Sequence, residues 1–428
     1  MQIGNKNPSP GRLPLIAALA LLSGAGAWAD EPSPWYIGAS QSLTHDSNVY
    51  RLANGTPDPD GKSRGDNYSS TGLLGGFDQA IGRQRLYATA NLRYNKYQDH
   101  DRLDNTSFGV NAGWDWATIN KLSGSVNVSA NSNLATLGGN TTQQTTDKNV
   151  VKTDQISTSV RWGGVGRLAV QGDYAHSRVS YSAPAYLSSE SSADTGSLGT
   201  FYSLSPDLKL GGAVRLTRTV SPNGIQLTTT PATYASNTTN GRNLDLTADW
   251  QYSVQTGVSA RLSWTRQTNS SAAATGQDFS GLTGSLTGRF APTGKLTFNA
   301  TYSRDAGTNG AFFNTVSTPG AGSSTALYQN SQVADAVSLG VGYAATAKIT
   351  ANAGYQYRRA KIANGLTGAG ASDYTDSYRS ASLGLTYAIA RAWQLSCNLS
   401  HETRDVTSTP AFAYGAYVAG CAAQFTLR

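Results

Sequence analysis

A transmembrane antiparallel up-and-down β-barrel of about 18 strands, 16 being possible, is the all-β fold class that this 428-residue sequence predicts. Three observations carry that expectation. Apolar and polar residues alternate with period two in segment after segment. Short turns alternate with long polar loops. Only 39% of the residues are hydrophobic, too few to fill the two or three soluble cores that this length would ordinarily contain. A closed barrel resolves the last point, because lipid takes the apolar face of each strand, water occupies the interior, and no backbone edge is left unpaired in hydrocarbon.

The chain opens with Lys6 and Arg12, an apolar run from Leu13 to Leu22 and the small-residue site Ala27-Trp28-Ala29. This order reads as a secretory signal peptide over residues 1–29, with 30–428 as the barrel. The apolar run falls short of the ~20 residues that a spanning helix needs, and no later segment reaches that length. The formal charge is +7, two of the cations lying in the signal. Without Lys/Arg clusters this mild excess does not suggest nucleic acid.

Period two is clearest in Leu122 to Ala130, Leu244 to Tyr252, Leu296 to Tyr302, Val337 to Tyr343, Ala381 to Ile389 and Trp393 to Leu399. Short turns are expected near Gly82, Asn120, Gly164, Pro206, Gln255, Thr293, Ala347 and Ala390. Long loops rich in Gly, Ser, Thr, Asn and Pro are expected over 52–66, 99–105, 133–151, 182–192, 222–240, 268–277, 307–332, 363–373 and 406–412. Eight turns joining nine hairpins give 18 strands, although the segments near Ser70 and Ser191 alternate poorly.

Aromatic residues gather at strand ends. Trp35, Phe77, Trp114, Trp162, Trp250, Phe290, Trp393 and Phe425 fall near short turns or chain ends, as a periplasmic girdle would. Tyr94, Tyr174, Trp264, Tyr302, Tyr355 and Tyr357 lie toward the long loops and supply an outer girdle. Cys397 and Cys421 are equidistant from Thr409 on the last two strands and share lipid-facing parity. A cross-strand disulfide and a pair of apolar thiols in lipid both fit that placement.

Catalytic signals are sparse. The chain has no G-x-S-x-G elbow, H-E-x-x-H, P-loop or C-x-x-C, so no catalytic residue, metal site or cofactor is expected. His45, His100, His176 and His401 are scattered, and each reads as a loop or lumen residue. The segment Asp58 to Asn67 superficially suggests a calcium loop but lacks the D-x-D-x-D-G spacing and the terminal Glu, so a solvated turn is the better reading. The parity opposite to the apolar residues directs eleven cations, Arg85, Arg93, Arg161, Arg167, Lys209, Arg215, Arg261, Arg289, Lys295, Arg358 and Arg404, into the lumen. Five carboxylates, Asp115, Asp173, Asp245, Asp249 and Glu402, accompany them. Such an excess favours anions in a pore, unless the charges pair and merely keep the lumen wet. The longest loop, with Phe312, Phe313 and Tyr328, is either an inward constriction or an external solvated loop.

The segment Asp46-Ser-Asn48-Val-Tyr50-Arg51-Leu52-Ala-Asn-Gly55 resembles the "DxNxFRLxxG" opening of EpsL-like outer-membrane barrels, with Tyr in place of Phe. The barrel pattern extends the likeness over the rest of the chain. One departure is the C-terminus, where Phe425 is near the end but Arg428 is last. The resemblance implies a place in the bacterial outer membrane and a channel involved in exopolysaccharide export. A positively biased lumen would suit an acidic polymer, with Arg93, Arg161, Arg215, Arg261, Arg289 and Arg358 as its contacts. The partners would be membrane lipid, the polysaccharide or small anionic solutes, the outer-membrane assembly machinery and periplasmic export components. The alternatives are a general or anion-selective diffusion porin for small solutes and, from another class, a surface adhesion or structural barrel or a barrel hydrolase.

Overall fold

The computed structural model describes residues 33–135, 146–163, 167–229, 232–271, 278–306, 331–362, 374–407 and 412–428. The expected signal peptide, the turn at Gly164 and nearly all of the loop at 307–332 lie outside the described residues. Eighteen strands account for most of what is described. They are β1 (Trp35–Asp46), β2 (Asp66–Ile81), β3 (Gln84–Tyr97), β4 (Asn105–Ala117), β5 (Leu122–Leu134), β6 (Val150–Trp162), β7 (Leu168–Tyr181), β8 (Ser191–Ser203) and β9 (Leu208–Thr229). The second half contributes β10 (Ala232–Ser253), β11 (Thr256–Asn269), β12 (Phe279–Phe290), β13 (Leu296–Asp305), β14 (Ser331–Ala344), β15 (Ile349–Ile362), β16 (Tyr374–Ala388), β17 (Trp393–Val406) and β18 (Tyr414–Leu427).

Each strand pairs antiparallel with its neighbours in sequence, and β1 pairs with β18 from Ile37↔Leu427 to Asp46↔Val418, closing the sheet into a barrel. Closure satisfies the backbone of every strand without an edge. The short turns are tight. Gly82 links β2 to β3 at a φ of 62°, which a side chain would resist, while Ile81 pairs directly with Gln84.

Alternation decides which way each side chain points. Leu43, Leu73, Leu198, Leu246, Leu262 and Leu383 are more than half exposed on the outer wall, an exposure that only a lipid neighbour makes favourable. Below this belt Trp250 and Tyr252 meet edge to face at 5.2 Å, and Trp393 lies 5.0 Å from Phe425 across β17 and β18. Above it Tyr94, Tyr174, Trp264, Tyr302 and Tyr355 also point outward. An apolar belt between two aromatic girdles, with short turns at one rim and long loops at the other, is the build of a bacterial outer-membrane barrel. The long loops therefore face the exterior.

One expected loop is strand. Residues 222–240 extend β9 and β10, each to 22 residues, into a hairpin whose upper part stands beyond the rim. Pro222, Asn223 and Gly224 read as a turn, but the ladder absorbs them as an irregularity: Ser221 pairs with Asn237 and Ile225 with Ala235. The first loop also starts earlier than expected, since β1 ends at Asp46 and β2 begins at Asp66.

Cys397 and Cys421 face each other across β17 and β18, 4.0 Å apart at Cα, joined by a disulfide on the lipid-facing wall.

Candidate functional site in the barrel lumen

The outer mouth is built from the first loop. Asp46, the last residue of β1, points inward, and its carboxylate accepts the N–H of Asn48 at 2.9 Å and Arg51 Nη1 at 2.8 and 2.9 Å. Asn48 staples the turn: its amide donates to the carbonyls of Leu52 (3.0 Å) and Gly415 (3.1 Å), and its Oδ1 accepts the N–H of Leu52 at 2.9 Å. Arg51 takes a left-handed φ of 52°, which aims its guanidinium at the wall, where Nε also pairs with Glu402 of β17. Tyr378 donates to the other oxygen of Glu402 at 2.7 Å, and on the same wall Arg404 binds Asp376 through two contacts of 3.1 Å. Burial alone would lower the Arg51 pKa, but Asp46 and Glu402 outweigh it and hold the group above its ordinary value, so it stays charged.

This pinning turns apolar residues of the loop inward. Val49, Tyr50 and Leu52 pack with Tyr97 of β3, Leu103 of the second loop, and Ala183 and Tyr186 of the fourth, forming a small buried core inside the mouth. Tyr50 meets His100 edge to face at 5.1 Å. His100 Nδ1 lies 3.1 Å from Asp66, whose carboxylate also accepts the N–H groups of Asn67, Asp99 and His100. Burial raises the Tyr50 phenol above its usual range. The Tyr50 hydroxyl and His100 Nε2 are buried with no partner among the described residues. The other histidines sit outward on the wall: His45 bonds Asn67, His176 bonds Asp194, and His401 stacks on Tyr417. Asp58, from the segment resembling a calcium loop, pairs with Arg64 at 3.1 Å.

At mid-depth, a cavity of about 470 Å³ is lined by hydroxyls of Ser125, Ser157, Ser159, Ser197 and Ser285 with Asp173, Asp245, Arg215 and Arg261. Arg215 binds Asp245 at 2.8 and 3.1 Å, both buried, and Arg261 lies 3.6 Å from Asp305. Asp173 accepts from Gln171 (2.7 Å) and Ser197 (3.1 Å). Toward the periplasmic rim Arg85 binds Asp78 at 2.8 and 2.6 Å, and the Arg161 guanidinium lies 5.7 Å from the Phe201 ring.

All six arginines singled out from the sequence occupy inward register positions, but the structure does not bring them together. Arg215 and Arg261 share the mid-depth cavity. Arg358 is buried near Asp376 and Arg404 at the mouth wall. Arg93 and Arg289 are exposed in the lumen and make no ion pair among the described residues. The expected excess of eleven cations over five carboxylates is corrected by the fold: Asp46, Asp66, Asp78, Asp305 and Asp376 also face the interior, most of them holding a basic side chain. Three of them, Asp46, Asp66 and Asp305, stand at strand ends, where alternation fades and parity is hard to assign. The mouth core was missed altogether, although an apolar Val-Tyr and a Leu inside a polar loop signal burial.

No protein-family model matches the chain, and no curated protein matches it. The EpsL-like resemblance thus has no family match behind it. Among solved structures, OpdL of Pseudomonas aeruginosa aligns over 92% of this chain and 99% of its own at 12% identity and a TM-score of 0.44. OpdQ of the same organism aligns over 93% and 99% at 10% identity and 0.45. The outer membrane protein OpdK, also of Pseudomonas aeruginosa, aligns over 92% and 98% at 12% identity and 0.44.

Proposed function

We propose that the chain is a passive outer-membrane channel for small polar solutes. The observation that carries this reading is the partial pairing of charge in the lumen: Arg85, Arg215, Arg261 and Arg404 each hold a carboxylate, while Arg93 and Arg289 form no ion pair among the described residues. Paired charges keep a lumen wet without giving it one strong sign. The loop core at the mouth and the hydroxyl-lined cavity beneath it suit solutes of modest size that touch the wall weakly and leave.

Export of an exopolysaccharide was implied by the resemblance alone, which has no family match behind it, and the cation excess that would suit an acidic polymer narrows once the additional inward carboxylates are counted. The small-solute reading is therefore placed ahead of export. No step of bond chemistry is needed in either. The test is solute flux into vesicles carrying the purified barrel, using sugars and amino acids of rising size, together with polysaccharide secretion by a strain lacking the gene. Flux that falls with solute size and unchanged secretion are expected. Flux no faster than in protein-free vesicles, or lost secretion restored only by the intact gene, would overturn the reading.

A further inference from the structure

Outside the barrel, the outward positions just beyond the upper aromatic girdle carry arginines, most of them facing a carboxylate on the next strand. Arg178 stands opposite Asp154, Arg304 lies 3.4 Å from Asp335, and Arg379 lies 3.6 Å from Asp405. On β10 and β11 the pattern breaks: Arg242 stands directly opposite Arg266. Both are exposed on the outer wall, and neither forms an ion pair or hydrogen bond among the described residues. Arg218 of β9, the diagonal neighbour of Arg242, keeps the pattern, because it stands directly opposite Asp194 of β8.

Like charges directly opposite in a ladder destabilise it, so this pair calls for an anion between the two side chains. The height on the wall says where that anion comes from. Trp264, outward and 59% exposed, precedes Arg266 by two residues, and its cross-strand partner Leu244 lies two residues below Arg242. Two residues along a strand tilted by about 40° raise a side chain by roughly 5 Å, from the top of the apolar belt into the headgroup layer.

We propose that Arg242 and Arg266 bind a phosphate of the phosphorylated glycolipid of the outer leaflet. Two planar guanidinium forks match a phosphate dianion better than point charges would, and its acyl chains would lie along Leu216, Leu244, Leu246 and Leu262 below. The same surface offers a soluble anion no comparable contact, because one side of it is hydrocarbon.

The experiment compares the full barrel with an R242Q/R266Q variant in micelles containing bisphosphorylated lipid A, the same lipid dephosphorylated, or inorganic phosphate. Thermal unfolding and lipid retention in native mass spectrometry are the readouts. The phosphorylated lipid should raise the melting temperature of the native barrel only, and the variant should retain the lipid roughly tenfold less. In lipid-free detergent the variant should melt at the same temperature or higher, because a repulsion is gone. Equal stabilisation by the dephosphorylated lipid, or of the variant, would overturn the proposal. A shift of the same size with inorganic phosphate alone would overturn the lipid assignment. If the double variant fails to fold, R242K/R266K keeps both charges without the forks and should lose most of the retention. Unchanged retention in that variant would count against the proposal.

Discussion

Arg51 holds the mouth together from a backbone conformation that most side chains avoid, and its two carboxylate partners lie on the wall, not in its own loop. Replacing it with alanine would leave Asp46 and Glu402 buried without their cation, a loss of about 3–5 kcal/mol borne locally by the loop. The expected result is rapid protease cleavage near Val49 in an R51A barrel that still migrates as folded on unheated gels. An unchanged cleavage pattern would show that the apolar contacts of Tyr50 and Leu52 suffice. A second residue-scale expectation concerns Asp245. In D245N the Arg215 guanidinium loses its bidentate partner while remaining in the cavity, so ion selectivity should move toward anions. A zero-current potential identical to that of the parent would contradict the mid-depth assignment.

At the scale of elements, the second loop carries a pH dependence with a defined sign. Burial pushes the Asp104 carboxyl up, but the Lys96 ammonium and the Tyr97 N–H outweigh it and hold it below the usual range. A group depressed on folding contributes stability that is present above its unfolded pKa and lost as pH falls through the folded value. Hydrogen-exchange protection in residues 98–104, referred to the intrinsic amide rate at each pH, should accordingly be high at neutral pH and fall below about pH 4, the ordinary aspartate range. Protection lost on the alkaline side instead would be the wrong sign.

The β9–β10 hairpin is the other element with its own expectation. Its projection beyond the rim contributes nothing to closure, so replacing residues 222–236 by an Asn-Gly turn should leave heat-modifiable mobility intact. Loss of folding would mean that the projection nucleates the ladder. This hairpin also marks where sequence stops being informative. Period two is legible in β5, β10, β13 and β17 because each has one face in lipid and the other in water. Beyond the rim both faces are wet, so threonines and serines carry the strand without alternation, and Pro222 with Gly224 mimics a turn. The mouth core was illegible for a related reason. Residues such as Tyr50 and His100 are far apart in the chain, and only barrel closure brings the first, second and fourth loops into one space. Inward arginines could be read from parity, but their carboxylate partners on neighbouring strands depend on register, which no single strand specifies.

For the whole molecule, closure between β1 and β18 is reinforced by the disulfide one strand away. Its 24-residue separation corresponds to about 3 kcal/mol of constraint on the unfolded chain, so a C397S/C421S barrel should unfold at lower denaturant concentration while keeping its transport. The larger consequence is electrostatic. A wall on which carboxylates answer much of the basic charge gives water a path and small solutes weak contacts, with a weaker one-signed field than an acidic polymer would need. The most direct test is the zero-current potential of single barrels in a planar bilayer under a tenfold potassium chloride gradient. Discrete conductance steps with a potential well short of the full Nernst value for chloride are expected, because carboxylates offset much of the basic charge in the lumen. Absence of steps, or a potential near the full Nernst value for chloride, would contradict the account.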